Sequence, residues 1–292
     1  MRLALVFDKL REDTLGGYFE RAATAMGLEP THFWARDAQT IPSGFDLYLR
    51  IDHGDYHHDM PDHVHPRIFY AVDTHLSHSW PKIRRAAKRY KVVCCAHRDG
   101  ASRLANGVWL PVACDPALHQ ASSPADRIHD VACVGTEGGI PRKFYLQALR
   151  ERYPANRIGH APHTQLGAIY GATKIGFNYS IRQDVNMRMF EILCAGALLL
   201  TNQLPHDDLA QLGLMEGMHY VTYRDPEELM ARLDHYLRDH DQRQLIARRG
   251  QRLVLERHTY GHRLAQILRL ANERLDCRFP IKEAETATCA SS

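Results

Sequence analysis

Short apolar runs alternate along the chain with longer stretches in which apolar residues recur every three or four positions. Runs such as Leu3-Ala4-Leu5-Val6-Phe7 and Ala197-Leu198-Leu199-Leu200 lack a polar residue at every second place, the pattern of strands covered on both faces of a parallel sheet. Strands are expected at 1–7, 31–34, 46–51, 67–72, 91–96 and 108–110, with helices at 18–26, 80–90 and 99–104. The stretch 116–126, PALHQASSPAD, is polar and rich in breakers and reads as a linker. A second series follows: strand 131–135, helix 142–152, strand 158–160, helix 165–170, strands at 175–179, 197–200 and 219–223, and helices at 226–238, 242–256 and 260–275. Strand–helix alternation in two blocks predicts an α/β chain of two Rossmann-like doubly wound domains, 1–116 and 127–275, with a frayed tail at 276–292.

The most informative stretch is 174–203, KIGFNYSIRQDVNMRMFEILCAGALLLTNQ. It reads as strand, polar loop, helix, glycine turn, strand. Asn186 stands where a helix N-cap belongs, its side chain expected to accept from the first free N–H groups, and Gly196 closes the helix. Such a helix starts just beyond the carboxyl end of a strand, where open α/β sheets bind ligands. Its free N–H groups and positive dipole end suit a phosphate, with Arg182 and Arg188 adding charge. Glu191, one turn in, is placed to accept from sugar hydroxyls.

Composition narrows this little. A net charge of +3 on 292 residues gives no strong field for nucleic acid or membrane. The seven cysteines form no CxxC pair and several fall in expected strands or helices, so buried free thiols in a reducing compartment are expected. No apolar run approaches the ~18 residues of a membrane span, and residues 1–7 read as a strand rather than a leader, so a cytoplasmic protein is expected. No P-loop and no G-x-S-x-G elbow is present. The nineteen histidines include a dense run at 52–65, DHGDYHHDMPDHVH. It holds enough Asp and His for a metal but matches no ligand spacing, and an exposed loop is the plainer reading.

The run Asn186-Met-Arg188-Met-Phe190-Glu191, followed by a small-residue turn and an apolar strand, resembles the CgeB-like branch of the group 1 glycosyltransferases. Trp109-Leu110-Pro111, Cys114-Asp115-Pro116, Val134-Gly135 with Arg142 behind it, and His258-Thr259-Tyr260 with Arg263 extend the resemblance over roughly residues 67–270. It implies a GT-B architecture, two Rossmann-like domains facing a cleft, with a nucleoside-diphosphate sugar bound mainly by the second. It further implies a metal-independent transfer that retains anomeric configuration, with no cofactor beyond the donor itself. Group 1 enzymes commonly place two glutamates eight positions apart beside the donor. Glu191 matches the second, a ribose ligand, whereas the first is Gln183 here, a departure that leaves Asp184 as a substitute.

The same resemblance makes Arg142 and Arg188 diphosphate clamps and Gly135 a point of close backbone approach, with Asn178, Arg182, Gln183, Asp184 and Asn186 around them. Lys174 is a lesser candidate, and the 220–225 segment would flank the base. Gly16 and Gly17 would let the first domain approach the donor. Asp73 and His75, directly after an expected strand, would orient the acceptor hydroxyl or take its proton. The acceptor stays open among a glycan, lipid-linked glycan, protein, metabolite or nucleic acid. Two other classes also stay open: a non-catalytic sugar-nucleotide-binding scaffold, and a metal-dependent hydrolase built on the histidine loop.

Overall fold

A computed structural model describes residues 1–10, 14–52, 54, 56–121 and 126–281. The chain divides into two compact units, residues 1–112 with the last helix, and residues 113–259.

The first unit is built on a six-stranded parallel sheet of β1 (Arg2–Val6), β2 (Glu29–Phe33), β3 (Leu47–Ile51), β4 (Arg67–Ala71), β5 (Val93–Cys95) and β6 (Gly107–Trp109), in the order β2-β1-β3-β4-β5-β6. Helices α1 (Leu15–Ala25), α2 (Trp80–Ala87) and α3 (Arg98–Ser102) connect them. Every residue of β3 and β4 is buried, as apolar runs without alternation require. Two of those residues are arginines. Arg50 reaches Asp59 at 2.6 Å, and Asp59 also meets Arg89 at 3.0 Å and accepts from the Tyr90 hydroxyl. The segment after β3 is thereby tied down at Asp59.

The second unit carries a five-stranded parallel sheet of β7 (His129–Val134), β8 (Asn156–Gly159), β9 (Thr173–Asn178), β10 (Leu198–Asn202) and β11 (Val221–Tyr223), in the order β11-β10-β9-β7-β8. Its helices are α4 (Pro116–His119), α5 (Arg142–Arg152), α6 (Leu166–Gly171), α7 (Met187–Cys194), α8 (Asp208–Gln211), α9 (Pro226–Arg238) and α10 (His240–Arg257). Tyr153, Phe177, Leu198, Leu200 and Leu233 centre its core. The expected linker at 116–126 begins instead with α4, because Asp115 caps it, accepting from Ala117 N at 3.1 Å, and Pro116 sets its first turn. Residues 122–125 lie outside the described residues. The short α8 was not expected.

The last helix, α11 (Tyr260–Arg274), departs from the expected 127–275 domain, because it belongs to the first unit. Tyr260 stacks on Tyr18 of α1 at 5.0 Å and meets Phe19 edge-on at 5.2 Å. The buried Arg263 donates to Pro111 O at 2.6 Å and Val112 O at 3.3 Å. Aromatic packing and two charge-assisted bonds to the end of the first unit fix the helix there. The expected tail falls largely at 282–292, outside the described residues.

Cys94, Cys95, Cys114, Cys133 and Cys194 are free and buried, as expected. No helix among the described residues is long and apolar enough to cross a membrane.

His219 gives the second unit a pH dependence. Its Nδ1 accepts from Met215 N at 3.0 Å, and burial with the nearby Arg249 charge pushes its pKa below 6.5. The unfolded chain takes up this proton near pH 6.5 and the folded chain only lower, so the stabilisation is whole above about 6.5 and is lost as pH falls below it. Urea titrations between pH 7.5 and 5 should show a shallower acid decline for His219→Gln than for the native chain.

Candidate functional site: an arginine-lined edge in the second unit

The carboxyl ends of β7, β9 and β10 meet the starts of α5 and α7. β7 ends at Val134, and Gly135 follows it at φ +128°, a conformation open to glycine. A Cβ there would lie 2.6 Å from a terminal guanidinium nitrogen of Arg188, so the missing side chain is what admits Arg188. Arg188, second residue of α7, donates from Nε to Val134 O at 3.0 Å.

Arg142 opens α5 and donates to Thr136 O at 3.0 Å, while its Nε is buried without a hydrogen-bond partner. Burial and then the Arg188 charge push its pKa down. Two guanidiniums are thus held in each other's field, and among the described residues neither makes an ion pair. Like charges gathered beside a helix start form a site shaped for an anion.

The loop between β9 and α7 is ordered by its own polar groups. Ser180 Oγ donates to Asp184 at 2.6 Å and accepts from Asp184 N at 2.8 Å. Asn202, which sequence reasoning did not single out, grips the same turn, its Oδ1 accepting from Ser180 N at 2.7 Å. Gln183 sits at φ +56° with an exposed side chain, and Arg182 is exposed beside it. Asn178 is fully buried, its amide donating to Thr201 Oγ1 at 2.9 Å while Oδ1 has no partner.

Asn186 occupies the N-cap position of α7 with extended backbone, but its side chain makes no capping bond, contrary to expectation, and Oδ1 is buried without a partner. The Asn186 side chain therefore supplies none of the first amides of α7 with an acceptor. Gly196 closes this helix at φ +77°, as expected. Glu191 is not a solvated helix-face carboxylate. It is 5% exposed and lies 3.9 Å from Nε2 of the fully buried His119.

Other candidates fall elsewhere. Lys174 is paired with Asp130 at 2.6 Å. Asp225 caps α9, accepting from Glu228 N at 2.8 Å, and Tyr223 is a core residue whose hydroxyl donates to Asn178 O at 3.1 Å.

In the first unit, Asp73 and His75 follow β4 at its carboxyl end, as expected. Asp52, at the end of β3, accepts from Tyr56 OH at 3.0 Å and from Val72 N at 3.1 Å. Burial first, and the Asp52 charge second, push the Asp73 carboxyl above its usual range. His75 packs edge-on against His97 at 4.1 Å between ring centres, and its Nδ1 is buried without a partner.

Gly16 is accounted for by packing, since a Cβ there would fall 2.2 Å from the Phe7 ring. Gly17 N donates to the capping Thr14 Oγ1 at 3.3 Å. Gly16→Ala should cost about 1–3 kcal/mol by overpacking, read as a lowered urea midpoint. His57, His58, His63 and His65 are exposed, and among the described residues no three of the ligand groups in 56–65 converge as a metal site would need. His53 lies outside the described residues.

Two Rossmann-like parallel sheets give the chain the GT-B fold. Residues 116–269, more than half of the chain, match a family model described as glycosyl transferase-like, and the chain belongs to that family. No curated protein matches it. Among solved structures it is similar to T4 phage BGT in complex with UDP-glucose (TM-score 0.58, 11% identity, 96% of this chain and 100% of that one). It is also similar to Anabaena HepE in complex with UDP and glucose (TM-score 0.65, 11% identity, 94% and 100%). A third is an alpha-glucosyltransferase in complex with UDP-glucose and DNA containing an abasic site (TM-score 0.65, 9% identity, 93% and 99%).

Proposed function

We propose that the chain transfers a hexosyl group from a uridine-diphosphate sugar to an acceptor hydroxyl, with the diphosphate held at Arg142 and Arg188. The observation that carries this is a pair of part-buried guanidiniums in each other's field, Arg188 over Gly135 and Arg142 against Gly138. Such a pair is costly unless an anion completes it, and it stabilises the charge that grows on a departing diphosphate. That is the task a metal ion would otherwise perform, so the transfer proceeds without one in this reading. In this reading the positive end of α7 lies beside the same anion, and Glu191 accepts from the ribose hydroxyls. UDP or UDP-glucose in each of the three similar structures supports uridine as the base.

The core at 186–191 supports placement in the CgeB-like branch, and the resemblance to group 1 enzymes supports retention, the leaving diphosphate taking the acceptor proton on the same face. Asp73 and His75 orient the acceptor hydroxyl. Its class spans glycan, lipid-linked, protein, metabolite and nucleic acid acceptors, because the +3 net charge favours none of them. Free buried thiols suit a reducing, cytoplasmic setting.

The test is a thermal-shift and calorimetric panel of UDP, UDP-glucose, other nucleoside diphosphates and pyrophosphate. A ligand at about 100 times its Kd adds about 2.7 kcal/mol of stability. UDP should raise the native Tm by several degrees and raise that of Glu191→Ala far less. No shift with any nucleotide would sink the transferase reading.

A further inference from the structure

His119 was read in the sequence as part of a polar linker, yet it is fully buried at the end of α4. Its environment fixes which nitrogen carries the proton. Asp115 N donates to His119 Nδ1 at 3.0 Å. A backbone N–H is always a donor, so Nδ1 is an acceptor and the neutral ring carries its hydrogen on Nε2. That nitrogen lies 3.9 Å from Glu191 Oε1.

The cap that holds α4 is independent of the ring, because Asp115 Oδ1 accepts from Ala117 N. The main chain of Asp115 therefore serves one purpose and its carboxylate another. One residue both starts the helix and sets the tautomer of the histidine one turn on.

From this geometry we infer that His119 is a positioning residue for Glu191, presenting an Nε2–H that holds the carboxylate in the orientation that accepts both hydroxyls of a ribose. The inference rests on the donor-site reading above and adds a ligand class to it: a ribonucleotide with free 2′ and 3′ hydroxyls, in preference to a 2′,3′-dideoxynucleotide. The separation of 3.9 Å exceeds a direct hydrogen bond, so the ring acts on the carboxylate through the field of its N–H dipole and closes on it when the ribose draws Glu191 in. A buried carboxylate without such a donor would turn toward other partners or take up a proton, and either change spoils it as a double acceptor. The anchoring bonds of the diphosphate end, Arg188 to Val134 O and Arg142 to Thr136 O, are made to backbone and do not involve His119.

The test measures binding of UDP, 2′,3′-dideoxy-UDP and pyrophosphate by calorimetry to the native chain, His119→Leu and His119→Gln. Leucine fills the space without a donor, and glutamine restores an N–H near the Nε2 position. The native chain should prefer UDP over the dideoxy compound. His119→Leu should lose about tenfold in UDP affinity and most of that preference, keep its affinity for pyrophosphate, and regain the preference in His119→Gln. Long-range ¹H–¹⁵N spectra of the native chain should show the Nε2–H tautomer for this ring, a readout that needs no variant to fold. An Nδ1–H tautomer, an unchanged preference in His119→Leu, or equal losses for UDP and pyrophosphate would each overturn the assignment to His119 and leave the diphosphate site standing. A native chain that binds neither UDP nor pyrophosphate would overturn the donor site and this inference together.

Discussion

Arg188→Ala is expected to weaken UDP binding by about 30- to 4000-fold, equivalent to about 2–5 kcal/mol for truncating one member of a partly buried charge pair. Three features make Arg188 the stronger of the two clamps. It stands in the first turn of α7, so its charge adds to the positive end of that helix. Its Nε is committed to Val134 O at 3.0 Å, which aims the remaining guanidinium nitrogens across Gly135. Its pKa is held above the usual arginine value although burial works against the charge, because Cys133, Tyr170 and Glu191 favour the cation. Arg188→Lys keeps the charge but loses both the anchoring bond and the planar fork, so it should fall between the native chain and the alanine variant. Calorimetry at fixed ionic strength checks the order, with circular dichroism to confirm folding. An alanine variant that binds UDP within twofold of the native chain would remove the diphosphate from this edge.

The site was legible to the extent that it follows from local grammar. A buried strand, a glycine at its carboxyl end and a helix starting after a polar loop put Gly135, Arg142 and Arg188 on one edge, and the structure brings those three together. The parallel strands were legible for the same reason, since runs buried on both faces need no alternation. What stayed hidden depends on pairing across long stretches of sequence. Asn202 grips Ser180 from 22 positions away, and His119 meets Glu191 only because α4 exists where breakers suggested a linker. The last helix looked like the end of the second domain because order along the chain was the only guide. Tyr260 and Arg263 place it with the first unit through contacts that no periodicity encodes. Asn186 shows the opposite failure. A residue type that usually caps was read as capping, and the backbone placed it there without the bond.

The histidine-rich segment invites a metal reading, but what holds it is Asp59, and Asp59→Ala should cost about 3–5 kcal/mol of stability, the penalty for leaving a buried cation uncompensated. Arg50 and Asp59 side chains are 2% and 8% exposed and meet at 2.6 Å. Burial opposes the Arg50 charge, and Tyr90 and Asp59 outweigh it, so its pKa lies above the usual arginine value. Asp59 also accepts from Met60 N at 2.9 Å, which seats Met60 in the core. Removing the carboxylate takes away the 2.6 Å partner of the buried Arg50, and a loss of this size is a large share of the 5–15 kcal/mol that holds a domain together. Because Asp52, at the start of the same segment, bonds to Val72 N, the loosened segment should also disturb the turn that carries Asp73 and His75. Replacing both charges, as in Arg50→Met with Asp59→Leu, should recover part of the stability, since the uncompensated Arg50 cation is gone while Tyr90 OH and Met60 N still lose their acceptor. Urea unfolding of the single and double variants separates the two effects. A single variant within 1 kcal/mol of the native chain would mean that Arg50 finds another counter-charge, and the segment would need a different anchor.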